Sequence, residues 1–167
     1  MSPYVAGLRA HVGSRMLLLP SVTCLVFDER GRALLAKHGD TGTWVAPGGS
    51  IEPGETPADA AVRELWEETG LVSVPRRILG VFGGTDFVVR YSNGDEVAYV
   101  MTVFECTITE GTPRPDGQEV TRLQYFTATD LPKELSSWAR VVLPVVMASR
   151  QTASFTPAQW VPPRVGG

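Results

Sequence analysis

Three glutamates near the end of a predicted helix, Glu64, Glu67 and Glu68, have the side-chain type and the spacing that chemistry would need. Successive residues of an α-helix are turned by about 100° around its axis, so these three carboxylates share one side of the helix. Hard divalent cations prefer oxygen ligands, and a carboxylate can also accept a proton from a water molecule. The helix alone is compatible with two interpretations, a divalent-metal site and a solvated acidic surface.

The surroundings of these glutamates favour the metal site. Like charges three or four residues apart repel by roughly 0.2–0.5 kcal/mol per pair, and the helix dipole disfavours negative charge near the C-terminal end. Pro47-Gly48-Gly49 begins an irregular loop that leads directly into the helix. Because glycine lets the backbone come close to an ion or a phosphate, the loop and the helix together predict a cradle for a cation and an anionic ligand.

The helix that must position the carboxylates is predicted between Thr56 and Thr69. Thr56 is suited to the N-cap, Pro57 to the first helical position and Asp59 to a capping box. Gly70 is typical of the residue that ends a helix. The opposite side of the helix is apolar or small, which predicts packing against a sheet: Ala61, Val62, Leu65 and Thr69.

The rest of the chain predicts an α/β fold. Segments rich in β-branched and aromatic residues predict strands: Ser21–Phe27, Ala33–Lys37, Trp44–Ala46, Arg77–Val81, Phe87–Tyr91, Val97–Ile108 and Val120–Thr127. The turn Ser92–Asp95 predicts a hairpin, and Ser136–Ser149 predicts a helix that Pro144 breaks or kinks. Residues 3–15 predict a short helix or an arm, and the tail from Gln151 predicts a loosely held end. This order of elements predicts a mixed sheet flanked by helices.

Gly49, Glu55 and the run Arg63–Leu71 (RELWEETGL) together resemble the Nudix box at every specified position. The resemblance extends to the Trp-x-x-Pro-Gly-Gly entry before the box and to the strands and helix after it. It implies the α/β/α sandwich of the Nudix hydrolases, with a mixed β-sheet between helices. It also divides the chain into an N-terminal arm or short helix, a Nudix hydrolase domain and a loosely ordered C-terminal tail: residues 1–16, 17–149 and 150–167.

The resemblance implies metal-dependent hydrolysis of a diphosphate bond in a nucleoside diphosphate linked to another moiety, with Mg²⁺ or Mn²⁺ as the cofactor. ADP-ribose, a nucleoside triphosphate and a dinucleoside polyphosphate are all candidate substrates. Two alternatives are a non-catalytic Nudix module that senses a ligand and a pyrophosphohydrolase acting on the 5′ end of RNA. All the acidic residues of the box are present, which favours the enzyme.

Metal ligation is implied by the resemblance for Glu67 and Glu68, joined by the carbonyl oxygen of Gly48. Glu64 resembles the residue that binds metal or, in some members, takes the proton from water. Many members use a further acid outside the box, and here Glu119, the first candidate, and Asp116 stand in a loop ahead of a strand. Each of these two loop acids is equally well explained as exposed surface.

Other roles are implied for residues around the carboxylates. Glu55 and Arg63 resemble the pair that fixes the loop to the helix, and Arg63 also stands four residues before Glu67. The residues assigned to the substrate are Gly49, Lys37, Trp44 and Arg90. Lys37 and the adjacent His38 stand where many members carry arginines, so a phosphate contact is open. Tryptophan ahead of Pro-Gly-Gly is more often a packing anchor, and Arg90 is more typical of a solvated arginine.

Composition limits the remaining classes of protein. The chain has 167 residues, 43% hydrophobic and 20% charged, which suits one globular domain. A net charge of −3 disfavours nucleic acid as a partner and leaves a small nucleotide as the expected one. Cys24 and Cys106 lie in apolar runs and predict buried thiols, and the apolar run 16–27 is interpreted as a core strand, with no membrane partner. Cytoplasm is the expected location, and a homodimer is left open.

Overall fold

The computed structural model describes residues 2–159. These residues form three α-helices, eight β-strands and a 3₁₀ turn at Thr85–Phe87. In chain order the elements are α1 (Pro3–Val12), β1 (Leu17–Val26), β2 (Ala33–His38), β3 (Trp44–Val45), α2 (Pro57–Thr69), β4 (Val72–Phe82), β5 (Val88–Arg90), β6 (Glu96–Glu110), β7 (Val120–Phe126), α3 (Ser137–Ala148) and β8 (Ser154–Phe155).

The larger sheet is mixed, as predicted. Strand β6 is its centre, because it pairs in parallel with β1 on one side and antiparallel with β4 and β5 on the other. Strand β8 extends this sheet in parallel with β4. A smaller antiparallel sheet has the order β3-β2-β7, and it brings the start of β7 beside the end of β2.

Two apolar clusters form the core on opposite sides of the strands. Neighbouring strand residues point to opposite faces, so Leu34 belongs to the cluster under α2 and Leu35 to the cluster under α3. Leu65 of α2 and Leu143 of α3 are both fully buried. The strands therefore lie between helices, which confirms the predicted α/β/α arrangement.

Helix α2 begins and ends through the local signals that the sequence predicted. The Thr56 side chain accepts from the Asp59 amide at 3.2 Å, and the Asp59 carboxylate accepts from the Thr56 amide at 3.4 Å. Gly70 ends the helix in the left-handed region, with φ of 69°. The buried face differs from the prediction because it also includes Ala60 and Glu68, whereas Val62 is only partly buried.

Several predicted bounds were wrong because pairing partners, and not composition, decide where a strand ends. Strand β1 begins at Leu17 because β6 continues alongside it, and β4 begins at Val72, directly after α2. The predicted strand Phe87–Tyr91 is shorter in the structure, where β5 is Val88–Arg90, because Phe87 ends the 3₁₀ turn. Helix α3 continues through Pro144 without a break.

Both ends of the described chain are attached to the domain. Residues 3–12 form a helix, and Arg9 fixes it to the β5–β6 hairpin by donating to the Glu96 carbonyl at 2.8 Å. The start of the tail is held by β8 and by an ion pair of 3.0 Å between Arg150 and Glu105. Residues 154–155 of the predicted tail thus pair with β4, and residues 160–167 of that prediction lie outside the described part. Both cysteines are free, buried thiols, as predicted. Within residues 2–159, no helix has the length and apolarity to cross a membrane.

Candidate active site

The Pro47-Gly48-Gly49 segment lies against β1 through backbone hydrogen bonds. The Val22 amide donates to the Gly49 carbonyl at 2.9 Å, and the Cys24 amide donates to the Pro47 carbonyl at 2.7 Å. Gly48 has φ of 152°, and a Cβ atom at this position would overlap the Val22 carbonyl. Only glycine lets the chain pass this close to β1 and continue over α2.

The same glycines bring the loop onto the acidic side of α2. A Cβ atom on Gly49 would lie 2.5 Å from a carboxylate oxygen of Glu64, so this carboxylate rests directly against the Gly49 backbone. The Gly48 amide donates a long hydrogen bond of 3.5 Å to Oε1 of Glu68. The loop therefore covers Glu64 and Glu68, and Glu68 is only 4% exposed.

Arg63 is the charged centre of the loop–helix junction. Its guanidinium donates two bonds to the Glu55 carboxylate, at 2.6 and 2.9 Å, and one to the Ser50 carbonyl at 3.0 Å. Its Nη1 atom lies 2.8 Å from Glu64 and 3.0 Å from Glu67. One arginine thus joins the loop to the helix and also holds two of the three helix carboxylates.

The carboxylates at this junction have pKa values shifted in opposite directions. Hydrogen bonds from Arg63 lower the pKa of Glu55 to about 2. Burial raises the pKa of Glu64, although Arg63 opposes the shift, and the charges of Glu67 and Glu119 add to it. Burial followed by the charge of Glu64 raises the pKa of Glu68 well above its usual value. Glu64 and Glu68 are therefore carboxylates that a nearby positive charge would stabilise.

The chemistry of these donors fits a divalent cation. Oε2 of Glu68 is buried and has no hydrogen-bond partner in the described structure, and a buried anionic oxygen without a partner is costly. In the described residues, however, no three acidic, histidine or cysteine side chains converge closely enough to enclose an ion. Two of these carboxylates, those of Glu64 and Glu67, are bonded to Arg63, and the Glu67 side chain is half exposed.

The two loop acids predicted outside the box both lie near this junction. Both acids are in the loop that connects β6 to β7. This loop passes the C-terminal end of α2, where the Arg114 amide donates to the Thr69 carbonyl at 2.8 Å, and its last residues lie beside the end of β2. The charges of Glu119 and Asp116 contribute to the raised pKa of Glu68. The Asp116 carboxylate accepts from three backbone amides, whereas the Glu119 carboxylate has no hydrogen-bond partner in the described structure. Of these two carboxylates, that of Glu119 is the one without a bonded partner in the described residues.

The residues predicted to bind substrate lie in different surroundings. Gly49 is in contact with Glu64, and Lys37 lies over the Trp44 ring at 5.9 Å. Trp44 is 5% exposed and packs edge-to-face on Phe126, so its side chain belongs to the core and we do not assign it to substrate.

Arg90 is separated from the junction by the length of the sheet. It pairs with Glu96 at the start of β6, level with the start of β1, whereas Gly49 is bonded to Val22. Glu96 is six residues from Thr102, the β6 partner of Val22, so at ~3.3 Å per strand residue this separation is roughly 20 Å. Arg114, which the sequence did not single out, lies exposed at the end of α2, and its position follows from a backbone bond that no local pattern announces.

Comparisons with known proteins agree with the fold and the junction. The family model described as NUDIX domain matches residues 17–146. A MutT-like protein from Streptomyces ambofaciens is 32% identical over 116 residues, 70% of this chain and 68% of that protein. A putative 8-oxo-dGTP diphosphatase from Bacillus subtilis (strain 168) is 34% identical over 108 residues, 65% of this chain and 66% of that protein. The crystal structure of a MutT NUDIX hydrolase from Burkholderia pseudomallei has a TM-score of 0.63 and 26% identity, covering 78% of this chain and 98% of that chain. The chain therefore belongs to the Nudix hydrolase family and is a Nudix pyrophosphohydrolase.

Proposed function

We propose that this enzyme hydrolyses the diphosphate bond of a small nucleoside diphosphate derivative with a divalent cation, Mg²⁺ or Mn²⁺, as its cofactor. The observation that carries the proposal is the buried, unpartnered Oε2 atom of Glu68, beside Gly48 and the carboxylate of Glu64. A carboxylate held in this way needs a positively charged partner, and the described residues provide none for this oxygen. When bound, a divalent cation would neutralise the phosphate charge and make a coordinated water more acidic.

We assign the cation to Glu68, Glu64 and Glu67, together with the carbonyl oxygen of Gly48. Arg63 holds Glu64 and Glu67 before binding, and its ion pairs reduce the repulsion between them. Glu67 is half exposed, so its side chain can turn inward without disturbing the core. Glu55 keeps the guanidinium in place through its two hydrogen bonds.

Proton removal from the attacking water falls to Glu119 or to Glu64. Glu119 is exposed and without a hydrogen-bond partner in the described structure, so its carboxylate is available to a water molecule in front of α2. Glu64 is already bonded to Arg63, which favours a ligand role for it. A positioned general base typically contributes about 10²–10⁴-fold to the rate.

For the substrate we propose three candidates: ADP-ribose, a nucleoside triphosphate and a dinucleoside polyphosphate. Lys37 at the end of β2 and Gly49 are the residues that we assign to the phosphates, since an ammonium and a bare backbone both suit phosphate oxygens. The name of the Bacillus subtilis relative, which mentions 8-oxo-dGTP, adds an oxidised purine triphosphate to this group.

The cation is tested first without turnover. Thermal unfolding is followed with Mg²⁺ and with Mn²⁺ for the wild type, for Glu68→Gln and for Glu29→Gln, a control that removes an exposed carboxylate in the β1–β2 turn. We expect the cations to raise the melting temperature of the wild type and the control but not of Glu68→Gln. An equal rise in all three proteins would contradict the assigned site.

The reaction is tested on the candidate nucleotides in ¹⁸O water, with the products identified by mass spectrometry. We expect cation-dependent release of phosphate products and loss of most turnover in Glu68→Gln. Tight nucleotide binding without turnover would favour the ligand-sensing alternative. Release of diphosphate from 5′-triphosphorylated RNA, with no activity on the small nucleotides, would favour the RNA pyrophosphohydrolase.

A further inference from the structure

We propose that Asp116 is a positioning residue whose carboxylate fixes the turn that presents Glu119 to the carboxylates of α2. The inference rests on the proposed function, since it assigns Asp116 an effect on the reaction through Glu119. It also separates the two loop acids that the sequence left as alternatives. Asp116 shapes the backbone, and Glu119 faces the reaction.

Both oxygens of the Asp116 carboxylate accept hydrogen bonds from the backbone amides of the residues that follow it. The carboxylate accepts from the amides of Gln118 at 3.1 Å, Glu119 at 3.2 Å and Val120 at 2.8 Å. Aspartate side chains commonly organise turns in this way. The contacts are local, so the acceptor at residue 116 sets how the amides of this turn are oriented.

Further contacts fix this turn against the rest of the molecule. The Gly117 amide donates to the Val120 carbonyl at 3.0 Å, and the Gly39 amide donates to the Glu119 carbonyl at 2.9 Å. Gly39 packs so closely that a Cβ atom there would lie 3.2 Å from the Gln118 carbonyl. The backbone of Glu119 is therefore held on both sides, by the end of β2 and by Asp116.

The same loop is tied to the end of α2 that carries Glu68. Arg114 donates its amide to Thr69, the residue directly after Glu68. From there the chain needs only five residues to reach Glu119, whose amide is bonded to Asp116 and whose carbonyl is bonded to Gly39. A change in the turn would move the Glu119 carboxylate relative to Glu64 and Glu68.

The test is a double-mutant cycle on the nucleotide that is hydrolysed fastest in the panel above, with Mg²⁺. Asp116→Ala removes all three acceptor contacts, whereas Asp116→Asn keeps the Oδ1 acceptor for Gln118 and Val120. Asp130→Ala is the matched control, because Asp130 is an exposed loop aspartate whose side chain makes no hydrogen bond in the described structure. We expect Asp116→Ala to lower kcat about tenfold, as misplacement of a reacting group does, with little change in KM. Asp116→Asn and Asp130→Ala should stay close to wild type.

The decisive measurement is Asp116→Ala in a Glu119→Gln background. If Asp116 acts only through Glu119, the second substitution produces no further fall in kcat. An equal fall in both backgrounds would show a general structural role and overturn the inference, as would wild-type kcat in Asp116→Ala. Wild-type kcat in Glu119→Gln would also overturn it, while the cation-dependent hydrolysis proposed above would stand as long as Glu68→Gln is inactive.

Amide hydrogen exchange gives a readout that does not depend on turnover. Loss of the Asp116 acceptor should speed exchange at Gln118, Glu119 and Val120 and leave the amides of α2 unchanged. Unchanged exchange at these three positions in Asp116→Ala would show that the carboxylate does not hold the turn. Absence of turnover for every nucleotide in the panel would overturn both the proposed function and this inference.

Discussion

Replacement of Arg63 by alanine tests whether the loop and the acidic helix are held together by one guanidinium. The wild-type side chain makes five hydrogen bonds, to Glu55, Glu64, Glu67 and the carbonyl of Ser50. The substitution removes the guanidinium that pairs with the carboxylates of Glu55, Glu64 and Glu67. We therefore expect both stability and activity to fall.

The size of the stability loss follows mainly from the pair with Glu55. Hydrogen bonds between charged groups contribute about 1.5–3 kcal/mol each, but these side chains are 29% and 22% exposed, which weakens the pair. We expect the free energy of unfolding to fall by about 2 kcal/mol. Loss of the brace on Glu64 and Glu67 should lower kcat by about 10²-fold, since the ligands are no longer held in place.

The pH dependence of stability provides a second signature. Arg63 lowers the folded-state pKa of Glu55 from 4.5 to about 2, so the ionised pair stabilises the protein above pH 4.5. This contribution is lost as the pH falls from 4.5 towards 2. The full difference in pKa would correspond to roughly 3.4 kcal/mol of stability, at about 1.36 kcal/mol for a difference of one in pKa. Solvent screening reduces this contribution to about 1–2 kcal/mol. Arg63→Ala and Glu55→Gln should both show a flatter loss of stability in this range.

Urea unfolding at pH 7, 4.5 and 3 measures these quantities, and Arg77→Ala is the control. Arg77 pairs with Glu105 at 2.7 Å with comparable exposure, but on β4 and β6 and outside the box. The control should keep wild-type kcat. Wild-type stability and kcat in Arg63→Ala, or an acid limb as steep as that of the wild type, would refute the reasoning.

Four further results are expected. Glu68→Gln should raise the cation-free stability at pH 7 in urea unfolding, because burial raises the folded-state pKa of this carboxylate, and such a group destabilises the fold at pH values above its unfolded-state pKa; a loss of stability would contradict this. Gly49→Ala should lower kcat by about 10²-fold, because its Cβ would meet the Glu64 carboxylate at 2.5 Å, whereas Gly7→Ala in the open face of α1 should leave kcat unchanged. Thr56→Ala should cost about 1 kcal/mol in thermal unfolding through loss of the cap, and an unchanged melting temperature would argue against the capping box. Chelation with EDTA should abolish turnover and added Mn²⁺ or Mg²⁺ should restore it; turnover that survives chelation would contradict the cofactor assignment.

Much of the site could be predicted from the sequence because its determinants are local. The helix bounds follow from Thr56, Asp59 and Gly70, which act on the backbone within a few residues of themselves. Helical periodicity places Glu64, Glu67 and Glu68 on one side without any knowledge of the fold. The resemblance to the Nudix box assigns the pair of Glu55 and Arg63, which the structure brings into contact.

What the tertiary structure decided depends on contacts between segments distant in the chain. Burial of Glu68 is not visible in the helix pattern, since it results from the loop that Gly48 carries across α2. The pairing of β4 with β8 and the packing of Trp44 on Phe126 are likewise set by neighbours remote in sequence.

The sequence by itself thus determined which residues form the acidic helix, because capping and periodicity act over one or two turns. The backbone hydrogen bonds that engage the Asp116 carboxylate, and the distance of Arg90 from the junction, follow only from the tertiary structure. The physical reason is that hydrogen bonds and packing between loops depend on where the sheets place the loop ends, and no local pattern encodes that placement.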